Sequence, residues 1–323
     1  MRIAVIGGSG HIGTFLIPRL VWAGHEVVSI SRGRRSSYVS DPTWGQVRQV
    51  SADRDAEDAA GTFPGRVAAL QPDVVIDLIC FTLDSATALV AGLRGRTGHL
   101  LHCGSTWRAG PSARLPVTED NAEPPVGEYG IAKAAIAGML KEETRSGGLA
   151  TTSLHPGHIV GPGWHPIGPI GNLDPEGWRK LSAGEPVQVP GIGGEFMHHV
   201  HADDVAQAFE AAVVHRDAAS GEDFNVVAPS ALNVRGYAQI AASWFGQAAD
   251  LRPVTWDEFR GTTTQDAFDS SWGHLVRDHY FSIGKARVLL GYAPQYEPEE
   301  AVLESVRWLI EHDQLKVANP LKV

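Results

Sequence analysis

A glycine-rich turn at the start of the chain constrains the fold more than any other feature. An apolar, β-branched run over residues 2–6 is typical of a buried strand, and the apolar pattern of a helix begins at His11. Between them, Gly7, Gly10 and Gly13 form the pattern G-x-x-G-x-x-G. In a strand–turn–helix unit, such glycines allow a tight turn, close approach of the backbone to a pyrophosphate, and close packing of helix on strand. The glycines alone would fit an ordinary turn, but their position between strand and helix favours a dinucleotide site.

The residues after the second predicted strand indicate which dinucleotide binds. This strand covers residues 26–30, and the next five residues contain three arginines and no carboxylate. In dinucleotide folds an acidic residue at this point binds the ribose hydroxyls of NAD, whereas an arginine accommodates the 2′-phosphate of NADP. We therefore expect NADP, with NAD as the alternative, and Arg32 as the 2′-phosphate ligand. Arg34 and Arg35 fit a solvated basic loop equally well.

The glycine turn and the third predicted strand supply the other candidate cofactor residues. Asp53 follows a strand predicted at residues 47–50, and its carboxylate would suit an adenine amino group or a helix N-cap equally. Backbone and side chains of the turn complete the set of expected cofactor contacts: Gly7, Ser9, Gly10, His11, Ile12 and Gly13.

Strand-like and helix-like segments alternate along the first half of the chain. Residues 74–80 form a nearly continuous apolar run, typical of a fully buried parallel strand, and a helical pattern separates it from another strand at 98–103. This alternation requires right-handed crossovers and predicts an α/β fold with a Rossmann-type, doubly wound parallel sheet. We expect this domain over residues 1–160, with 196–229 returning to it, and a smaller C-terminal substrate-binding lobe mainly over 161–323.

Three polar residues of the predicted sheet domain form a candidate catalytic set. Ser105 follows the strand at 98–103, at the sheet edge where open α/β sheets bind their ligands. Tyr129 opens a helical pattern, and Lys133 lies four residues later on the same helix face. A phenol has an ordinary pKa near 10, and a neighbouring ammonium is expected to lower it. The Y-x-x-x-K spacing also occurs by chance on surface helices, but its combination with Ser105 and the glycine turn favours catalysis.

Composition and charge exclude several other classes of protein. The net charge of −10 argues against a nucleic-acid partner. Cys80 and Cys103 both lie in apolar runs, which favours buried thiols over a disulfide. No apolar run approaches membrane-spanning length, and the first strand begins directly after Met1. We therefore expect a cytoplasmic protein that acts on a small-molecule substrate without contacting membranes.

The chain resembles the extended short-chain dehydrogenase/reductase family, which contains NAD(P)-dependent epimerases, dehydratases and reductases. The turn at residues 7–13 is similar to the cofactor motif of this family, and residues 129–133 are similar to its catalytic motif. Looser similarities extend over nearly the whole chain, at residues 155–162, 200–205, 283–287, 290–292 and 304–308.

The resemblance implies a role for each matching residue. Tyr129 would donate or accept the proton at the substrate oxygen. Lys133 would bind the nicotinamide ribose and lower the pKa of the tyrosine. Ser105 would hydrogen-bond the reacting oxygen, with Thr106 as a helper, and Pro156 would lie near the nicotinamide.

Departures from the family pattern bear on the substrate. Family dehydratases carry an Asp-Glu pair after the active-site serine or threonine, whereas Trp107 and Arg108 follow Thr106 here, which disfavours dehydration. Members that use nucleotide sugars carry a diphosphate-binding arginine near the position of Met197. A guanidinium binds phosphate better than a neutral group, so its absence disfavours a nucleotide-diphosphate sugar. A smaller or differently activated carbonyl compound is expected instead.

Histidines cluster in two segments, residues 155–165 and 198–201. A metal site would use such residues, but no familiar ligand spacing occurs and this chemistry needs no metal. Substrate hydrogen bonding or core packing is favoured, with His158 as the first candidate substrate residue. The segment replaces an arginine and an asparagine of the family pattern with His155 and His158.

Two functions fit these observations. The favoured one is a reductase or epimerase that transfers a hydride at a hydroxyl or carbonyl of a sugar-like substrate. The alternative is a non-catalytic NAD(P)-sensing regulatory protein, which the presence of both Tyr129 and Lys133 disfavours. Both reactions need the same residues, so the sequence leaves reductase and epimerase open. It also leaves the oligomeric state open, a homodimer included.

Overall fold

Seven of thirteen strands form one parallel sheet. In the computed structural model, which describes residues 1–323, the strands are β1 (Arg2–Ile6), β2 (Glu26–Ser31), β3 (Arg48–Ser51), β4 (Val74–Asp77), β5 (His99–Cys103), β6 (Thr151–Pro156), β7 (His158–Val160), β8 (Val187–Pro190), β9 (Phe196–Met197), β10 (His199–His201), β11 (Asp223–Val226), β12 (Leu232–Asn233) and β13 (Leu251–Val254). The large sheet has the order β3-β2-β1-β4-β5-β6-β11. The order reverses between β1 and β4, and ligands of open α/β sheets bind at the carboxyl ends of strands beside such a point.

Helices cover both faces of this sheet. The helices are α1 (His11–Trp22), α2 (Arg54–Ala59), α3 (Phe63–Ala68), α4 (Leu83–Leu93), α5 (Glu128–Arg145), α6 (Pro175–Ala183), α7 (Ala202–Val214), α8 (Arg216–Ala219), α9 (Val234–Trp244), α10 (Trp256–Arg260), α11 (Gln265–Leu275), α12 (Gly284–Leu290) and α13 (Pro298–Glu311). Leu16 and Phe209 pack on one face, and Leu89 and Ile136 on the other. The predicted doubly wound α/β fold is confirmed. None of the helices has the length and apolar character that crossing a bilayer requires.

A second hydrophobic core defines the smaller lobe. Trp178, Tyr237 and Leu309 belong to it, together with residues from three two-stranded sheets. The return of the chain to the large sheet occurs through β11, which pairs with β6. The segment around α12 also packs in the sheet domain, because Phe281 and Tyr292 belong to its core. The lobe expected mainly over 161–323 is therefore interrupted twice.

The apolar run at residues 74–80 forms a shorter strand than predicted. β4 ends at Asp77, whose Oδ1 accepts a hydrogen bond from the Ile79 amide (3.2 Å) and an ion pair from Arg54 (2.6 Å). A side chain that binds a nearby backbone N–H competes with the strand ladder. The turn closed by Asp77 keeps the following residues at the carboxyl edge of the sheet. Cys80 beyond it and Cys103 are both free and buried, which confirms the prediction for the thiols.

Candidate active site

The glycine turn has the backbone geometry of a phosphate cradle. Gly7 has φ +84°, in the left-handed region that favours glycine, and its carbonyl accepts a hydrogen bond from the Gly10 amide (2.9 Å). A Cβ at Gly13 would lie 2.0 Å from the carbonyl oxygen of Gly8, so only glycine allows α1 to pack this closely on the turn. No side chain caps α1, which leaves its first N–H groups free to bind phosphate.

His11, the first residue of α1, stacks on the ring of Trp164. Their rings stack with centroids 4.9 Å apart and planes 6° from parallel. Burial lowers the pKa of His11 to about 3, so the imidazole is neutral. Ser9 and Gly10 are half-buried at the surface of the turn, whereas Ile12 points into the core of the sheet domain.

The three arginines after β2 are all exposed, and they differ in their position relative to a cleft of about 1070 Å³ that also contains Ser105 and Tyr129. Arg34 and Arg35 line this cleft, whereas Arg32, the predicted 2′-phosphate ligand, does not. The turn at Gly33 (φ +67°) separates the two positions.

Asp53 forms the N-cap of α2. Its Oδ1 accepts a hydrogen bond from the Ala56 amide (3.3 Å). Of the two roles that the sequence allowed for this carboxylate, the structure shows the capping role. No contact in the structure addresses the adenine role.

Ser105, Tyr129 and Lys133 lie together at the carboxyl edge of the sheet. Ser105 follows β5, and its Oγ accepts a hydrogen bond from the Trp107 amide (3.2 Å), which leaves its O–H free to donate. Tyr129 lies in the first turn of α5, is 43% exposed and lines the cleft with Ser105. Lys133 is 2% exposed, and its Nζ lies 5.8 Å from the centre of the Tyr129 ring.

Two backbone carbonyls hold the ammonium of Lys133. Its Nζ donates to the carbonyl oxygens of Cys80 (2.7 Å) and Cys103 (2.8 Å). Cys103 is the last residue of β5, and Cys80 lies three residues beyond the end of β4. An ammonium has three donors, so one remains for a ligand. Burial lowers the pKa of Lys133, and the carbonyls keep its position fixed.

The electrostatics of Tyr129 differ from the sequence expectation. Desolvation raises the pKa of Tyr129, and the hydroxyl of Ser105 partly offsets this effect. The pKa of Tyr129 is therefore raised and not lowered, contrary to the expectation from the sequence. At neutral pH the phenol is therefore protonated.

The structure divides the remaining predicted residues between cleft and core. His158 lines the cleft, beside Gly157. Pro156 is buried as the last residue of β6, and Thr106 is buried in the short turn that follows Ser105. Neither of these two lines the cleft.

Three residues that the sequence did not single out complete the site. Trp107 and His274 line the cleft, and their rings lie 5.0 Å apart. The guanidinium of Arg277 lies over the ring of Trp107, with its Cζ 3.8 Å from the ring centre. Trp107 could have been suspected from its place two residues after Ser105. His274 and Arg277 lie about 170 residues further along and carry no local motif.

Five imidazoles come together from the two histidine segments and from residues 274–279, at and just after the end of α11. This histidine cluster consists of His158, His198, His199, His274 and His279. Burial lowers the pKa of each one, and the neighbouring imidazoles contribute to most of these shifts. No group of three His, Cys, Asp or Glu side chains in the structure is arranged to hold a metal ion.

The fold and the site together define a nicotinamide-dependent oxidoreductase with a Rossmann-type domain. A profile of the NAD dependent epimerase/dehydratase family matches residues 3–227. The chain belongs to this family. The resemblance inferred from the motifs is thereby confirmed.

Relatives with assigned names include different activities. The chain is 33% identical over 225 residues to 2'-dehydrokanamycin reductase of Streptomyces kanamyceticus, across 68% of this chain but only 60% of that protein. It is 26% identical to the chloroplast stem-loop binding protein of 41 kDa b from Arabidopsis thaliana, across 94% of this chain and 78% of that one. Among solved structures, MoeE5 in complex with UDP-glucose and NAD covers 97% of this chain and 99% of its own, with a TM-score of 0.71 and 19% identity.

Proposed function

We propose that this protein is an NADP-dependent oxidoreductase acting at a hydroxyl or carbonyl group of a sugar-like molecule. Ser105, Tyr129 and Lys133 are its catalytic residues. The observation that carries the proposal is their grouping at the carboxyl edge of the sheet, where Ser105 and Tyr129 line one cleft and the Nζ of Lys133 lies 5.8 Å from the Tyr129 ring. The glycine turn adjoins this cleft, because His11 stacks on Trp164, which lines it. The arginines at 34 and 35, which line the same cleft, support NADP over NAD. The binding of NAD in MoeE5 keeps NAD as the alternative.

The three side chains have complementary tasks. A nicotinamide bound beside them supplies or takes up the hydride. The Ser105 O–H donates to the substrate oxygen, and Tyr129 exchanges a proton with the same atom. Lys133 uses its remaining N–H to bind a ribose hydroxyl and places its positive charge near the phenol. In the direction of reduction, the protonated phenol of Tyr129 would donate its proton to the carbonyl oxygen of the substrate.

Reduction and epimerisation differ in their use of cofactor. A reductase converts one NADPH for each substrate molecule, whereas an epimerase returns the hydride and consumes none. The similarity to a reductase supports reduction. Nicotinamide absorbance followed during turnover distinguishes the two reactions, because an epimerase gives no net change.

Replacing Tyr129→Phe tests the catalytic proposal. Loss of the phenolic proton donor should lower kcat by a factor of about 10²–10⁴, the usual contribution of general acid catalysis, with cofactor affinity nearly unchanged. Tyr280→Phe is the matched control, since that ring lies outside the cleft. Turnover by Tyr129→Phe at the wild-type rate would contradict the role of this residue. Cofactor binding without any turnover in the wild type would instead favour the sensing protein.

A further inference from the structure

The wall of the cleft around Tyr129 carries no Lys, Arg, Asp or Glu side chain. Besides Ser105, it includes Trp107, His158, His274 and aliphatic residues such as Leu173, which is 55% exposed. The only arginines that line the cleft, at positions 34 and 35, follow β2. Three strand spacings separate β2 from β5, or about 14 Å at the usual interstrand distance. These arginines therefore belong to the cofactor half and not to the substrate half.

The imidazoles of this wall are neutral. Burial lowers the pKa of His158 well below its ordinary value, and the nearby His274 and His199 lower it further. His274 has its Nδ1 2.7 Å from the carbonyl oxygen of Ser270, so this nitrogen carries the proton. Its Nε2 is then an acceptor for a hydroxyl group. The wall offers hydrogen bonds, but no ion-pair partner for a phosphate or an ammonium.

A buried guanidinium fixes the aromatic part of the wall. Arg277 is 4% exposed, and its Nη2 donates to the Val126 carbonyl (2.9 Å), while its Nη1 donates to the Gly273 carbonyl. No carboxylate pairs with it within 4.0 Å, and its Cζ lies 3.8 Å from the centre of the Trp107 ring. This cation does not reach the cleft, so it cannot bind a phosphate there. Its field opposes a second positive charge nearby, such as a substrate ammonium.

The family's usual means of holding a diphosphate is also missing from this region. Met197, near whose position nucleotide-sugar enzymes carry an arginine, is fully buried in the core of the small lobe. No other cation replaces it in the lining of the substrate half. A nucleotide-linked substrate would thus leave its diphosphate without a partner, at a substantial cost in desolvation.

From these observations we infer that the substrate is an uncharged ring compound, recognised by packing on Trp107 and by hydrogen bonds to the imidazoles of His158 and His274. This inference rests on the proposed function and adds the substrate class. Sugar and other saturated rings have an apolar face that suits an indole, and their hydroxyl groups suit a neutral imidazole acceptor. Trp107 and His274 are thereby specificity-determining residues, drawn from segments about 170 residues apart.

A charge-matched panel tests the substrate class. With NADP or NADPH as cosubstrate, kcat/KM is measured for glucose, glucosamine, glucose 6-phosphate and UDP-glucose, for the corresponding galactose compounds, and for cyclohexanone with its amino and phosphorylated derivatives. We expect an uncharged member of at least one set to exceed its charged partners by about tenfold or more, equivalent to about 1.4 kcal/mol. A charged member that exceeds its uncharged partner in every active set would overturn the inference. If NADP binds but no member reacts, the proposed function fails with it.

Variants of Trp107 test the recognition surface separately from the catalytic group. Trp107→Ala should raise KM for the best uncharged member about tenfold with a smaller change in kcat, because it removes packing that ground and transition states share. Trp107→Phe should restore most of the affinity. Trp22→Ala, at a 69% exposed position on α1, is the matched control. An unchanged KM in Trp107→Ala would contradict the role of this ring.

Discussion

The proposed cofactor half and the proposed substrate half of the site are built in different ways. The cofactor half would use backbone groups from one continuous stretch, residues 7–13, whose glycines allow the chain to approach a phosphate. The substrate half uses side chains from three distant segments, represented by Trp107, His158 and His274. Binding of a phosphate by backbone groups depends on glycines at fixed positions and little on other side chains. Such a site can therefore be recognised in the sequence as a motif. Side-chain recognition depends on tertiary packing and is free to vary with the substrate.

The histidine cluster behind the substrate half should make the stability of the protein strongly pH-dependent. Burial lowers the pKa of His198 to about 3 and those of His199 and His279 to about 4, against an ordinary value near 6.5. Between those values the unfolded chain binds protons that the folded chain does not. The free energy of unfolding should therefore fall as the pH drops from 6.5 toward 4, by up to about 1.4 kcal/mol per pH unit for each such histidine.

Urea unfolding at pH 7.5, 6.5 and 5.5 measures this effect. His199→Leu should reduce the slope of stability against pH below 6.5, whereas replacement of the exposed His215 serves as the control. A stability that stays constant over this range would show that the cluster is not held neutral.

The cofactor half should be most sensitive at Gly13. A Cβ there would lie 2.0 Å from the Gly8 carbonyl oxygen, so Gly13→Ala must move α1 away from the turn. We expect NADP affinity to fall about a hundredfold, in line with an overpacking cost of about 1–3 kcal/mol. Titration of the cofactor against protein fluorescence measures it.

A helical glycine with free space is the matched control for this change. Gly138 is exposed on α5, and a methyl group added there would meet no atom within 4 Å, so Gly138→Ala should bind NADP normally. It should also gain up to about 1 kcal/mol of stability from the better helix propensity. Wild-type affinity in Gly13→Ala would show that this turn does not hold the cofactor.

The sequence predicted those parts of the molecule in which a local pattern carries the physical requirement. The doubly wound sheet follows from alternating apolar periodicities. The cradle follows from glycines required by backbone conformation at Gly7 and by close packing at Gly13. The grouping of Tyr129 with Lys133 follows from helical spacing alone. The expected lowering of the pKa of Tyr129 was not found, because desolvation of the phenol raises this pKa, and desolvation depends on tertiary packing that no motif encodes.

The substrate half could not be predicted because long-range packing assembles it. Arg277 acts on Trp107 from about 170 positions further along the chain, and His274 reaches His158 only because α11 lies over the cleft. Neither pairing has a sequence signature. The course of a loop also determines which arginines line the cleft, since the turn at Gly33 separates Arg32 from Arg34 and Arg35.

Single replacements of the three arginines should change cofactor preference less than the glycine replacement changes NADP affinity. They would show whether the sequence rule for the residue after β2 predicts the 2′-phosphate ligand. Arg34→Ala and Arg35→Ala should each weaken NADP relative to NAD about tenfold, close to the lower end of the range of about 1.5–3 kcal/mol for a charged hydrogen bond. Arg32→Ala should leave the ratio unchanged, because that side chain does not line the cleft.

The loop that carries these arginines is hydrogen-bonded to α1. The Tyr38 amide donates to Oγ1 of Thr14 on α1 (3.2 Å), and Nη1 of Arg35 lies 3.5 Å from the Tyr38 hydroxyl. A preference controlled by Arg32 would mean that the residue directly after the strand selects the cofactor, as the sequence rule states. A preference controlled by Arg34 or Arg35 would mean that even the cofactor half depends on loop packing. The division between the two halves would then lie within the cofactor site, between its phosphate cradle and its 2′-phosphate pocket.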